Sequence, residues 1–152
     1  MVDAEEVIGS DLMISDFEYG ADLVLTESEK KQGARRREFG DLSVISGFAN
    51  LGQAILNRLR TRRGELAELG HPEYGSRLYE LIGSPNDDRT RELVRVLTVE
   101  SLLQEPRVRR VVSVRVRTAK DDPYRVDVEV SVLPVESEVP LSVVFPFYLE
   151  VA

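Results

Sequence analysis

Between Val108 and Leu149 the chain adopts a period of two, and that pattern limits the fold more than any other feature. Val112, Val114 and Val116 alternate with Ser113, Arg115 and Arg117. After Ala119-Lys120-Asp121-Asp122-Pro123 the alternation resumes, with Val126, Val128, Val130 and Val132 set against Arg125, Asp127, Glu129 and Ser131. Successive side chains of a strand point to opposite faces, so each run has one apolar and one polar face. Two such runs across a polar turn read as an antiparallel hairpin. A looser segment from Pro134 to Pro140 leads to a third run, in which Leu141, Val143, Phe145, Phe147 and Leu149 share a face. Pro146 has no N–H to give to a ladder, so this strand is expected at an edge.

Upstream, residues 50–105 read with helical period. Leu51, Ile55 and Leu59 recur every four residues and paint one stripe, with Asn50 as the expected N-cap. Arg60, Arg62, Arg63 and Gly64 are stop signals, because cations suit the negative helix end and glycine accepts a left-handed cap. A second, shorter helix is expected from about Ser76 to Ile82, closed by Gly83. A third starts at Pro85-Asn86-Asp87-Asp88, is expected to bury Leu93, Val96, Leu97, Val99 and Leu103, and ends at Pro106. The expected fold is therefore α+β: three helices, then a small antiparallel sheet, preceded by an extended N-terminal arm. That gives an arm over 1–38 and one domain over 39–152, with a helical half at 50–105 and a β half at 108–149.

The arm is set apart by charge. Residues 1–29 hold nine acids and no base, whereas the rest of the chain carries 18 acids and 20 bases. The net charge of −7 thus belongs to the arm, and the body is nearly neutral. A basic linker, Lys30 to Arg37, joins the two, and blocks of this kind are either solvated or meet a partner of opposite sign. Within the arm, Leu12-Met13-Ile14 and Leu23-Val24-Leu25 are short enough to pair only if an edge is offered. Residues 39–49 form a glycine-punctuated lead-in with one short strand or extended turn.

Cysteine is absent, which removes disulfides and cysteine-based zinc sites and fits a reducing cytoplasm. No apolar run approaches the roughly 20 residues of a membrane span. A catalytic constellation is equally hard to assemble. His71 is the one histidine, and no nucleophile elbow, phosphate loop or dinucleotide fingerprint is present. Pairs such as Glu65 with Glu68, or Glu73 with Glu80, could serve a glycosidase, but carboxylates of this spacing are ordinary on helix surfaces. No catalytic residue, metal or cofactor is expected. Arg58, Arg60, Arg62 and Arg63, and again Arg107, Arg109 and Arg110, make basic clusters without a nucleic-acid motif. Arginine also anchors protein interfaces, the preferred reading here.

The residues also follow a known order. Gly40-Asp41-Leu42, Ser46-Gly47 with Asn50-Leu51-Gly52-Gln53-Ala54-Ile55, Arg58 to Glu65, His71-Pro72-Glu73-Tyr74-Gly75-Ser76-Arg77-Leu78 and Glu105-Pro106-Arg107-Val108 succeed one another. Together they resemble the baseplate wedge family of contractile phage tails, type six secretion systems and extracellular contractile injection systems. The resemblance runs from Gly40 to Leu149 and is strongest in the helical half. It implies a structural subunit, present in six copies around the tube, that joins the wedge to the first sheath ring and starts sheath assembly. Glu105, Pro106 and Arg107 would bind the wedge partner, and the strand of Leu141, Val143, Phe145, Phe147 and Leu149 would meet the sheath. Implied partners are other baseplate wedge proteins, the sheath protein and tube or hub proteins, with no nucleic acid and no membrane. Assembly would take place in the cytoplasm, the product being part of the particle. Some family members carry a lysozyme designation, but nothing in the present sequence supports that activity. A regulatory module on the same fold, or a muramidase, are the alternatives.

Overall fold

The computed structural model describes residues 9–17, 20–23, 44–135 and 137–150. The basic linker at 30–37, the start of the lead-in at 39–43 and Val24-Leu25 lie outside the described residues. The chain divides into two compact units, Met1–Gln53 and Ala54–Ala152.

In the first unit, β1 (Ser10–Leu12) pairs antiparallel with β4 (Val44–Ser46), and β2 (Ile14–Phe17) with β3 (Gly20–Leu23). The amide of Gln53 bridges backbone at the junction of β1 and β2, accepting from Ile14 N–H and donating to Leu12 O, each at 2.8 Å. Helix α1 spans Gly47–Arg60 and opens at Gly47, whose φ of 59° suits glycine. It therefore starts earlier than the Asn50 cap expected from sequence, and Asn50 is buried. Leu51, Ile55 and Leu59 are all buried, as their spacing requires.

In the second unit, helix α2 spans Asp88–Leu102. Asp87 caps it, its carboxylate accepting from Thr90 N–H at 2.7 Å. The expectation of three helices is wrong: the chain has two α-helices among the described residues. Where the middle one was placed there is a single 3₁₀ turn, Leu78–Leu81. The segment is bracketed by left-handed Gly75 and Gly83, which leaves too few residues to offset helix nucleation. Ser76 is also held elsewhere: its N–H donates to Thr61 O at 2.8 Å and its hydroxyl to Leu59 O at 2.7 Å. The fold remains α+β.

Strands β5 (Val108–Thr118), β6 (Arg125–Pro134) and β7 (Leu141–Tyr148) form an antiparallel sheet with β6 in the centre. On one face the register aligns Val116, Val128 and Phe145, and next to them Val114, Val130 and Val143. Val126, Val128, Val130 and Val132 are fully buried there. Arg115 lies opposite Glu129 and Arg117 opposite Asp127 on the other face. Val112 breaks the expected alternation. The register shifts between Val111 and Ser113, so Val112 is the extra residue of a bulge and is 49% exposed.

Helix α2 packs against β5 and the Leu78–Leu81 turn, but not with the face its leucines suggest. The buried residues are Thr90, Val94, Thr98, Ser101 and Leu102, whereas Leu93, Val96 and Leu103 are exposed. The expected core face of this helix is therefore corrected by about one position.

Candidate functional site

Three of the ordered sequence segments converge at the C-terminal end of α1. Helix α2 ends at Leu102, and Glu105 N–H then donates to Leu102 O at 3.1 Å. Val108 N–H returns to Glu105 O at 3.0 Å, a β-turn with Pro106 in the position where its fixed φ is favourable. This turn aims the Glu105 side chain inward, and the residue is only 4% exposed. Arg58 Nη2 from α1 reaches Glu105 Oε2 at 3.2 Å, and Arg107 Nε reaches Oε1 at 2.7 Å. Burial pushes the Glu105 carboxyl up, but the hydrogen bond and charge of Arg107 and the charge of Arg58 outweigh it. Its pKa ends below the usual carboxylate value, and the group stays ionised at neutral pH.

The same node explains His71-Pro72-Glu73-Tyr74-Gly75-Ser76. The Arg58 guanidinium lies 4.4 Å over the Tyr74 ring. Gly75 has a φ of 108°, and a Cβ there would stand 2.6 Å from Thr61 O, so only glycine admits the close crossing. Ser76 then satisfies orphan carbonyls at the end of α1. His71 is exposed and gives its backbone N–H to Leu66 O at 3.0 Å.

Of the three residues assigned to a wedge partner, the structure thus turns Glu105 inward, exposes Pro106 and leaves Arg107 half-buried with its Nε on Glu105. Glu105 supports the turn from within, and the outward surface consists of Pro106 and the rest of Arg107. Arg58 and Tyr74 complete the node and were not singled out together from sequence. The available signal was weak, an arginine beside the buried stripe of α1.

The strand assigned to the sheath is β7, an edge of its sheet. Phe145, Phe147 and Leu149 are buried, and Leu141 and Val143 half-buried, so these side chains face the core. The backbone tells which groups remain. Leu149 N–H donates to Tyr124 O at 2.9 Å, extending the β6–β7 register by one pair. Hydrogen-bonded and non-hydrogen-bonded pairs alternate in an antiparallel ladder. Phe147, Phe145, Val143 and Leu141 therefore direct their backbone groups to β6, and Tyr148, Pro146, Val144 and Ser142 turn theirs to the outer edge. The one missing donor, at Pro146, falls on that outer edge and costs the sheet nothing.

Glu80 is held by Arg77 at 2.9 Å, which keeps its carboxyl below the usual range, and Glu65 Oε2 accepts from Arg62 N–H at 3.0 Å. Among the described residues no cluster of three or more His, Cys, Asp or Glu could hold a metal ion, and no helix is long and apolar enough to cross a membrane.

No family profile and no curated protein sequence matches the chain. Its structure is similar to the crystal structure of a candidate tail lysozyme from Geobacter sulfurreducens, with a TM-score of 0.58 and 24% identity. The match covers 66% of this chain and 88% of that one. The chain therefore has a fold found in a tail-related protein, and a shared fold carries no activity with it.

Proposed function

We propose that the chain is a structural subunit of a contractile, phage-tail-like baseplate, joined to the wedge around Pro106 and Arg107 and templating the first sheath ring by strand addition at β7. The observation that carries this reading is the outer edge of β7. Its inward side chains anchor it in the core, while the N–H and C=O groups of Ser142, Val144 and Tyr148 face outward, with no partner strand among the described residues. Strand addition takes its affinity from such backbone groups. The likeness in fold to a tail-related protein and the order of the sequence segments support the same reading. Six copies around a tube would then present six edges to six sheath subunits.

A muramidase is the weaker alternative. It needs one carboxylic acid with a raised pKa beside an ionised one. Glu80 and Glu105 are both shifted the other way, by arginines.

Val144→Pro tests the proposal. It removes one outward donor and leaves the bonds to β6 in place, so the protein should stay folded while sheathed particles are lost. Val143→Pro, which breaks the inner ladder, is the unfolding control. Normal sheaths assembled with folded Val144→Pro would defeat strand addition at this edge.

A further inference from the structure

Helix α2 buries Val94 and Leu102 but also carries large aliphatic side chains on its outward face. Leu93, Val96 and Leu103 are 41%, 45% and 66% exposed, and their spacing places them on one face. The inward face meanwhile buries the Thr98 hydroxyl without a hydrogen-bond partner among the described residues. An orphan hydroxyl inside and three large aliphatic side chains outside is the reverse of what packing alone selects.

The stripe runs past Glu100, which pairs with Arg63 at 2.6 Å. Arg63, Arg62, Glu65 and Tyr79 line an open cleft of about 320 Å³ beside it. There the exposed Arg62 guanidinium is held 4.6 Å over the Tyr79 ring, with no carboxylate paired to it among the described residues. Glu65 does not supply one, because its Oε2 is turned to the Arg62 backbone N–H. At the same end, Leu103 lies one turn beyond Glu100 and two residues before Glu105-Pro106-Arg107, so the stripe leads toward the surface assigned above to the wedge.

We propose that this face docks an amphipathic helix of a partner protein, with Leu93, Val96 and Leu103 against its apolar stripe and Arg62 pairing a carboxylate at its flank. From Leu93 to Leu103 the stripe is ~15 Å long, room for about three turns of a helix laid along it. The stacked guanidinium is already oriented, so little side-chain freedom is lost on pairing. Only the partner's place in a wedge rests on the function proposed above.

The test is an NMR titration of the full chain with two synthetic helical peptides that share a leucine stripe, one flanked by glutamates and the other by lysines. The acidic peptide should saturably shift the methyl signals of Leu93, Val96 and Leu103 and bind more tightly than the basic one. Arg62→Ala should weaken it about five-fold, and Arg62→Lys should not restore it. Val96→Ser should weaken both peptides on the order of tenfold at unchanged Tm, with Leu103→Ser as the second variant should Val96→Ser fail to fold. Equal affinity for the two peptides, absence of saturation, or concentration-dependent shifts of the same methyls without peptide, the mark of a second copy, would overturn the proposal. Val144→Pro should leave peptide binding unchanged, so failure of the sheath reading and failure of this one are told apart.

Discussion

Replacing Glu105 by glutamine changes almost no volume and removes one charge, which makes it a clean probe of the node beneath Pro106. In the native chain the carboxylate is 4% exposed and takes bonds from Arg58 at 3.2 Å and Arg107 at 2.7 Å. Glutamine leaves Arg58, itself 7% exposed, as a buried charge with no counterion in the node. Breaking a buried pair from one side costs about 3–5 kcal/mol. Glutamine still accepts one hydrogen bond, so the lower figure applies, about 3 kcal/mol. For a chain of this length that lowers Tm by roughly 6–12 °C, readable by circular dichroism. The pH dependence is a second, independent signature. The folded pKa of Glu105 lies below the ordinary value of 4.5, so its contribution is complete above that value and is lost as pH falls through the folded pKa. The stability gap between the native chain and Glu105→Gln should therefore be constant near neutrality and close only as pH falls below 4.5 and through the lowered folded pKa. A variant as stable as the native chain at pH 7, or a gap that does not close in acid, would refute the reasoning.

Gly75→Ala should cost roughly 2–4 kcal/mol in urea unfolding, since it adds a Cβ at a left-handed φ and against the Thr61 carbonyl. Asp87→Ala should cost about 1 kcal/mol through loss of the α2 cap, with asparagine restoring most of it. The bulge is checked by a pair of substitutions: Val112→Thr should change stability by less than about 0.5 kcal/mol, whereas Val130→Thr, in the fully buried row, should cost about 2 kcal/mol.

The sheet was legible because one physical rule, alternation, governs it outside the irregularities of β5, and because Pro146 marks its own strand as an edge. The cap at Asp87 was legible for the same local reason. What failed depended on contacts between distant segments. Residues 76–82 have a leucine spacing that suits a helix, but Ser76 is bound to the end of α1 and the segment closes as a single 3₁₀ turn. The facing of α2 could not be read because apolar residues lie on both of its faces; Thr90, Thr98 and Ser101 gain their inward place from the sheet they lie on. Val112 was assigned inward because a bulge leaves no mark in an unbroken valine pattern. Glu105 was read as projecting outward, and the arginine that turns it inward stands 47 residues away on α1.

Amide hydrogen exchange on β7, measured for the chain alone and mixed with the sheath protein of the same particle, addresses the central claim most directly. The account predicts that Ser142, Val144 and Tyr148 exchange freely alone and become protected with sheath protein, while Val143, Phe145 and Phe147 are protected in both. Unchanged exchange at Ser142 and Val144 in a mixture that forms sheath would contradict it.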